Sequence, residues 1–158
     1  MSTPSIRPFL PGEELQLHAL FHDSVHRLAV AHYSAEQLEA WAPADFDEHA
    51  WSEGIRRNRP FVVEDVTGTL LGYADLQPDG HIDQFFVAAD ASRRGVGTML
   101  LVFLERRARQ LGILELSADV SLCAEAFFLR NDFRVIARQL PVVRGIALAN
   151  ARMFKALG

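Results

Sequence analysis

The sequence has little cysteine and no long apolar run. Its one cysteine, Cys123, excludes an internal disulfide and is typical of a protein in a reducing compartment. No apolar stretch approaches the roughly 18 residues that a membrane-spanning helix needs. The first residues, 1–8, also lack the basic and then apolar pattern of a secretory signal. We therefore expect a cytoplasmic protein with no membrane partner.

Positive charge is scarce as well. The chain has 16 Lys and Arg against 20 Asp and Glu, a net charge of -4, and this argues against nucleic acid as a partner. A length of 158 residues fits one domain. The chain contains no repeat, low-complexity segment or long linker, so we predict a single domain over residues 1–158.

The apolar spacing predicts helices that alternate with short strands. Helical spacing covers 13–31, a short helix after the capping box Ser34–Gln37, 47–57, 96–111 and 121–131. Strand patterns cover 6–9, 61–65, 70–76, 81–87, 113–116, 133–137 and 146–154. The loops between the strands at 61–65, 70–76 and 81–87 are too short for crossovers, so these strands should form an antiparallel meander. The order predicts a mixed α/β fold.

The segment Ser92-Arg-Arg-Gly-Val-Gly-Thr98 has the features of an anion-binding loop. It follows a predicted strand and opens an apolar-striped helix. Gly95 and Gly97 let the backbone approach a ligand closely. The first N–H groups of a helix have no internal acceptor and lie at the positive end of the helix dipole. Arg93 and Arg94 add positive charge beside them.

Three classes of phosphate-binding loop can be compared with this segment. A Walker loop needs Gly-Lys-Ser/Thr, which is absent. A dinucleotide-binding loop needs a third glycine where Leu100 stands, and an earlier parallel βαβ unit. The remaining class holds the pyrophosphate of coenzyme A.

Two motifs in the chain resemble those of the GCN5-related N-acetyltransferases. The stretch Phe85–Leu101 resembles their central motif, Gln/Arg-x-x-Gly-x-Gly/Ala. The stretch Ser121–Phe133 resembles their later motif, Asn-x-x-Ala-x-x-Phe-Tyr-x-x-x-Gly-Phe. The resemblance, strongest over 61–133, implies a bacterial-type small acetyltransferase with an acyl-CoA N-acyltransferase fold. That fold is a mixed, mostly antiparallel, splayed sheet flanked by helices.

The resemblance also implies the reaction and the residues of its site. Acetyl-CoA would be the cosubstrate, and an amine would attack it directly in a ternary complex. A backbone N–H near Val87 would polarise the thioester carbonyl. The residues expected to contact the cosubstrate are Phe85, Phe86, Val87, Arg93, Arg94, Gly95, Val96, Gly97, Thr98, Ser121, Ala124, Phe127 and Phe128.

The chain departs from the family pattern at four positions. Ser92 stands in place of Gln or Arg, Ser121 in place of the Asn that commonly contacts the pantetheine arm, and Asp132 in place of Gly. Phe128 occupies the position of the tyrosine that often protonates the departing thiolate. Because Phe128 has no proton to give, the thiolate would leave unassisted or through Ser121, Cys123 or water.

Asp83 is the candidate general base. A primary amine has a pKa of about 10, so a base or a water chain must take its proton. The family often has an acidic residue on this strand, and the spacing predicts that Asp83 shares a strand face with His81, Phe85 and Val87. The alternative is a solvated strand residue, or one paired with an arginine.

For three histidines and several aromatic residues, the sequence allows two interpretations of their role. His18, His22 and His26 line one face of the first helix. No nearby Cys or Glu-x-x-His completes a zinc set, so we predict no metal site and instead a solvated face or the lip of an acceptor cleft. The residues that could line the same cleft are His32, Tyr33 and Trp41. The alternative places Trp41 over the core and Tyr33 at a helix end.

Cys123 is predicted to lie in the first turn of a helix, where the pKa of a thiol can fall. One reading is an acetyl-cysteine intermediate. The other is a small buried apolar residue.

The sequence leaves more than one function open. An N-acetyltransferase could act on a small amine, an amino acid, an antibiotic or a peptide lysine. Asp83 and the intact loop favour this enzyme. Phe128 favours a non-catalytic acyl-CoA-binding or regulatory module on the same fold. A third reading is a metal-binding protein that uses the histidine row. Many family members dimerise, so the resemblance also admits a homodimer.

Overall fold

The computed structural model describes residues 3–158; Met1 and Ser2, which begin the segment inspected for a signal sequence, lie outside it. Its α-helices are α1 (Glu14–Leu28), α2 (Ala35–Trp41), α3 (Glu48–Asn58), α4 (Val96–Gln110) and α5 (Glu125–Arg130). Its strands are β1 (Ser5–Pro8), β2 (Phe61–Glu64), β3 (Leu70–Ala74), β4 (His81–Ile82), β5 (Phe85–Val87), β6 (Glu115–Ser121), β7 (Arg134–Gln139), β8 (Val142–Val143), β9 (Ile146–Ala147) and β10 (Asn150–Ala156).

The helix starts follow local side-chain chemistry. The predicted capping box of α2 is confirmed: Ser34 Oγ accepts the N–H of Gln37 at 3.1 Å, and Gln37 Oε1 accepts the N–H of Ser34 at 2.8 Å. The Asp47 carboxylate accepts the N–H of Ala50 and caps α3 in the same way. No helix within residues 3–158 combines the length and apolar character needed to cross a bilayer.

The strands form two four-stranded sheets and a small hairpin. The first sheet has the order β1-β2-β3-β5 and is antiparallel throughout, so the predicted meander is confirmed. The second has the order β4-β6-β10-β7, with β4 parallel to β6 and the other pairs antiparallel. Strands β8 and β9 pair only with each other. This is the mixed, mostly antiparallel, splayed arrangement that the sequence predicted.

The prediction of one strand over 81–87 is wrong. Strand β4 pairs with β6 in the second sheet, whereas β5 pairs with β3 in the first. Between them, the buried carboxylate of Asp75 accepts the backbone N–H groups of Asp83 at 3.0 Å and Gln84 at 2.8 Å. A side chain thus replaces the strand ladder at this point, and the chain passes from one sheet to the other. Asp83 therefore does not share a strand face with His81, Phe85 and Val87.

Three other boundaries differ from prediction. Strand β6 runs to Ser121 because Leu116, Ala118 and Val120 alternate into the core. The next helix begins at Glu125 instead of Ser121, since a turn closed by the Ala124 N–H and the Ser121 carbonyl precedes it. The predicted strand 146–154 is divided between β9 and β10.

The buried residues form two clusters that meet at the first sheet. One packs α4 against both sheets and includes Leu100, Leu104 and Met153. The other packs α1, α2 and α3 against the opposite face of the first sheet and includes Leu17 and Ile55. The helices thus cover both faces of the first sheet, while the divergence of β5 from β6 leaves a gap between the two sheets.

Candidate active site

A cleft of about 470 Å³ occupies the gap between the sheets. All the residues predicted to contact a cosubstrate line it except Arg94. Trp41, Ser92 and Cys123, which the sequence indicated as candidates for the acceptor cleft, the anion loop and proton transfer, also line it. The wall residues that the sequence did not indicate are Ser24, Val25, Leu28, Ala29, Ala91 and Arg130. Those from α1 are far away in sequence and carry no motif. Arg130 could have been found, because it lies three residues after Phe127 on the same helical face.

The start of α4 presents unused hydrogen-bond donors to this cleft. Arg93 and Gly95 both have positive φ, 61° and 81°, which turns the chain sharply into the helix. Within residues 3–158, the backbone N–H groups of Gly95, Val96, Gly97 and Thr98 have no acceptor, and no side chain caps the helix. These donors and the dipole of a 15-residue helix form a site for an anion.

Glycine at position 97 allows the two sequence motifs to meet. A Cβ atom there would lie 3.3 Å from two ring atoms of Phe127 and 3.8 Å from Val87 Cγ2. The first turn of α4 therefore packs against both β5 and α5. Any larger side chain at this position would have to displace the Phe127 ring.

Three arginines surround the anion site. Arg93 and Arg130 line the cleft, while Arg94 lies on the exposed loop beside it. In the described part of the chain none of the three forms an ion pair. Their charges are therefore available to a phosphate-bearing ligand.

The free edge of β5 supplies a second type of donor. Strand β5 is the last strand of the first sheet. The N–H of Ala88 bonds to Leu71 O, and Gln84 O accepts the N–H of Asp75. Because alternate residues of an antiparallel strand face the partner, the N–H groups of Phe85 and Val87 point away from β3 and toward the gap.

Aromatic packing fills the far end of the cleft. Phe128 is 3 % exposed, and its ring lies 5.4 Å from that of Phe85, 5.3 Å from that of Phe127 and 5.0 Å from that of Phe133, centroid to centroid. The nearby groups that carry protons are the Ser121 hydroxyl and the Cys123 thiol, with Oγ and Sγ 3.1 Å apart.

Cys123 does not have the environment that the sequence predicted. It precedes the first residue of α5 and lies in the turn after β6. Burial raises the pKa of its thiol, and the contact with Ser121 only partly offsets this effect. The predicted position in the first turn of a helix is therefore wrong, and of the two interpretations the raised pKa favours the buried residue.

Asp83 lies beside the main cleft. Its side chain is exposed, and its Oδ2 accepts a hydrogen bond from Asn58 Nδ2 at 2.7 Å. It lines two smaller cavities, of about 170 Å³ and 60 Å³, that adjoin the cleft at Trp41, Phe86 and Ser121. Asp83 has no arginine partner among residues 3–158, so the paired alternative is wrong.

The aromatic residues of the first helices divide between the site and the core. Trp41 lines the main cleft and both smaller cavities, and Tyr33 lines the one of about 170 Å³. The Tyr33 hydroxyl donates to Ala149 O at 2.6 Å and accepts the Leu122 N–H at 3.0 Å. His32 is exposed and lines none of these three cavities.

The histidine row packs against neighbouring side chains. His18 is buried, and its ring stacks on Phe46 with centroids 3.4 Å apart. The rings of His22 and His26 stack at 4.2 Å, and His26 Nε2 lies 2.7 Å from Ala42 O. The solvated-face interpretation is wrong for His18, which Phe46 and α3 cover, whereas His22 and His26 are partly exposed. None of the three histidines lines the cleft or the two smaller cavities, so the cleft-lip interpretation is not supported. Within residues 3–158 no group of three His, Cys, Asp or Glu side chains is arranged to hold a metal ion.

Comparison with known proteins agrees with this fold and cleft. The family model of the Acetyltransferase (GNAT) domain matches residues 29–154. A protein of Escherichia coli K12, named uncharacterized N-acetyltransferase YafP, is 32 % identical over 153 residues, which are 97 % of this chain and 96 % of that protein. A splayed sheet with an anion loop opening its central helix defines an acyltransferase fold. The chain belongs to the GCN5-related N-acetyltransferase (GNAT) family.

Solved structures show the same architecture. The crystal structure of a GCN5-related N-acetyltransferase from Rhodopseudomonas palustris superposes with a TM-score of 0.92 at 37 % identity, covering 99 % of this chain and 98 % of the other. YncA, a putative acetyltransferase from Salmonella typhimurium solved with its cofactor acetyl-CoA, has a TM-score of 0.70 at 20 % identity, covering 99 % and 95 %. The fold therefore extends to distant sequences.

Proposed function

We propose that this chain is an N-acetyltransferase that moves the acetyl group of acetyl-CoA to an amine. The observation that carries the proposal is the row of unused N–H groups at residues 95–98, which faces a cleft of about 470 Å³. The presence of acetyl-CoA in YncA, which has the same fold, supports it.

The cosubstrate would lie along the cleft with its pyrophosphate at the start of α4. The donors for the pyrophosphate are the N–H groups of Gly95, Val96, Gly97 and Thr98, assisted by Arg93 and Arg94. The pantetheine arm would pass between β5 and the turn after β6, in contact with Phe85, Phe86, Val87, Ser121 and Ala124. Phe127 and Phe128 would form the apolar end of this path.

The reaction would proceed by direct attack. The amine nitrogen forms a bond to the thioester carbonyl carbon, the C–S bond breaks, and the electron pair leaves with the sulfur. The N–H of Val87, at the free edge of β5, would donate to the carbonyl oxygen as negative charge develops there. The proton lost by the amine would pass to the Asp83 carboxylate, directly or through water.

The departing thiolate would leave without a tyrosine. Phe128 carries no proton, and the Tyr33 hydroxyl is already engaged by Ala149 O and the Leu122 N–H. A thiol has a pKa of about 8.5, so the thiolate is a good leaving group near neutral pH. We propose that water protonates it.

A non-catalytic acyl-CoA-binding module is the second candidate. The tight packing of Phe128 against Phe85 and Phe133, with no hydroxyl at that point, favours it. A module of this kind would bind acetyl-CoA and leave it intact in the presence of amines.

The binding half of the proposal can be tested with one substitution and its control. In Thr98→Glu, a carboxylate enters the first turn of α4, where it suits the helix dipole but occupies the anion site. Calorimetric titration should show acetyl-CoA affinity reduced at least tenfold, with thermal stability unchanged or higher. The control, Val102→Glu, is on an exposed position of the same helix outside the cleft and should bind normally. Equal affinity in both variants would contradict the proposed site.

The catalytic half needs a second measurement. The release of free thiol is measured while the protein is incubated with acetyl-CoA and each of a panel of primary amines. We expect thiol release that depends on the amine, with mass spectrometry detecting the acetylated amine. Tight binding of acetyl-CoA with no amine-dependent release would instead support the module.

A further inference from the structure

The cavity of about 170 Å³ beside Asp83 has apolar walls. Its lining residues include the rings of Tyr33, Trp41 and Phe86, together with Pro141, Val143 and Leu148. The Tyr33 and Trp41 rings lie 5.6 Å apart, and those of Trp41 and Phe86 lie 6.2 Å apart, centroid to centroid. Trp41 and Phe86 are shared with the main cleft, so a molecule in this cavity would adjoin the proposed thioester.

Among residues 3–158, one uncompensated charge faces this cavity. Of its two carboxylates, Asp119 accepts from Arg152 Nε at 2.6 Å and from Gln139 Nε2 at 2.8 Å, so its charge is balanced. Asp83 accepts only from the neutral amide of Asn58. The cavity therefore offers a single net negative charge, enough for one ammonium group and no more.

The hairpin of β8 and β9 contributes Val143 to the wall of the cavity. Arg144 Nη1 donates to Ala40 O at 2.7 Å, and Gln37 Nε2 donates to Ala147 O at 3.0 Å. These bonds join the hairpin to α2 and hold that wall in place. A volume of about 170 Å³ suits a small molecule and not a polypeptide chain.

On the basis of the proposed function, we infer that the acceptor is a small primary amine with one positive charge and an apolar body. Its ammonium group lies at Asp83, and its body contacts Trp41, Phe86 and Val143. Polyamines are not acceptors of this site, because a second ammonium group would be buried against apolar walls without a partner. Polypeptides are not acceptors because the cavity of about 170 Å³ is too small for them.

The test compares three amines of different chemistry at saturating acetyl-CoA: phenethylamine, putrescine and a tripeptide with a free N-terminus. We expect kcat/KM for phenethylamine to exceed the other two at least tenfold. Calorimetry on the complex with coenzyme A should give the same order of affinities. A preference for putrescine or the tripeptide would overturn the inference and leave the acetyltransferase proposal standing.

A substitution on the hairpin sharpens the test. Val143→Asp adds a second uncompensated carboxylate to the cavity wall, beside that of Asp83, and should shift the preference toward putrescine by at least tenfold. The control is Val142→Asp, since Val142 is exposed on the outer side of the same strand and does not line the cavity. If both variants keep the wild-type preference, the acceptor does not occupy this cavity. If no amine binds or reacts while acetyl-CoA binds, the proposed function fails and the inference fails with it.

Discussion

The wholly buried carboxylate of Asp75 accepts the backbone N–H of Asp83 at 3.0 Å. Its other oxygen accepts the N–H of Gln84 at 2.8 Å, and Gln77 Nε2 donates to the first at 2.9 Å. Burial raises the pKa of Asp75, and these donors oppose that shift. The carboxylate thus fixes the point where the chain leaves the second sheet for the first. It thereby orients both Asp83 and the free edge of β5.

We expect Asp75→Asn to disturb the site more than the similar size of the two side chains suggests. The amide has one acceptor oxygen for three donors, and its NH2 group would face a backbone N–H. Loss of a buried acceptor costs about 1–3 kcal/mol, measured as a lower free energy of unfolding in urea. The rate of acetyl transfer should fall more than the affinity for acetyl-CoA. The control Asp45→Asn, at an exposed position, should change neither; an unaltered rate in Asp75→Asn would show that the site does not depend on this carboxylate.

Replacement of Asp83, the candidate base, should lower kcat and leave the affinity for acetyl-CoA unchanged. General-base catalysis typically contributes about 10²- to 10⁴-fold, so kcat of Asp83→Asn should fall by at least tenfold. Acetyl-CoA affinity should remain, because Asp83 lies outside the main cleft. The acidic limb of the pH–rate profile should disappear with the carboxylate. If the limb persists in Asp83→Asn, another group takes the proton.

The lowered pKa of His18 predicts that the free energy of unfolding depends on pH. Burial, and to a smaller extent the neighbouring His22, lower the pKa of His18 from the ordinary value of 6.5. A lowered pKa in the folded state means that the neutral ring is favoured there. This contribution to stability is fully present above pH 6.5 and is lost as the pH falls through the folded-state pKa. Urea unfolding should therefore give a lower free energy of unfolding at pH 5 than at pH 7.5.

The substitution His18→Phe isolates that effect. A phenyl ring retains the stacking on Phe46 but does not titrate. The difference in unfolding free energy between the two pH values should shrink in this variant. If wild type and variant show the same pH dependence, groups other than His18 cause the loss of stability at low pH.

The local features of the sequence predicted much of this molecule, and long-range contacts account for what it missed. The anion loop was predictable because glycine spacing and a helix start are properties of neighbouring residues. The split of 81–87 was not, because it depends on the pairing of β4 with β6, which is distant along the chain, and on the side-chain contacts of Asp75. The cover over His18 likewise depends on Phe46 and α3. The 121–124 turn was missed since Cys123 and Ala124 are compatible with a helix.

Cys123 should behave as a packing residue rather than a nucleophile. Burial raises the pKa of its thiol, so little thiolate is present at pH 7. Iodoacetamide should label the folded protein slowly and the urea-unfolded protein completely. Cys123→Ala should retain acetyl transfer within a few-fold of wild type. Detection of acetylated Cys123 after rapid quenching during turnover would contradict this expectation.

Phe128→Tyr tests the absence of a side-chain acid in the site. The new hydroxyl would extend from a ring that lines the cleft and is 3 % exposed. Without a partner it should lower the unfolding free energy by about 1–3 kcal/mol. If it reaches the thioester sulfur, the pH–rate profile should gain a descending limb near the tyrosine pKa of about 10.

The matched control is Phe133→Tyr. Phe133 belongs to the same aromatic cluster and is equally buried at 3 %, but it does not line the cleft. It should show a similar loss of stability with the wild-type pH–rate profile. A high-pH limb already present in the wild-type enzyme would mean that another titratable group, such as the Cys123 thiol, protonates the thiolate. Water would then not be the proton donor.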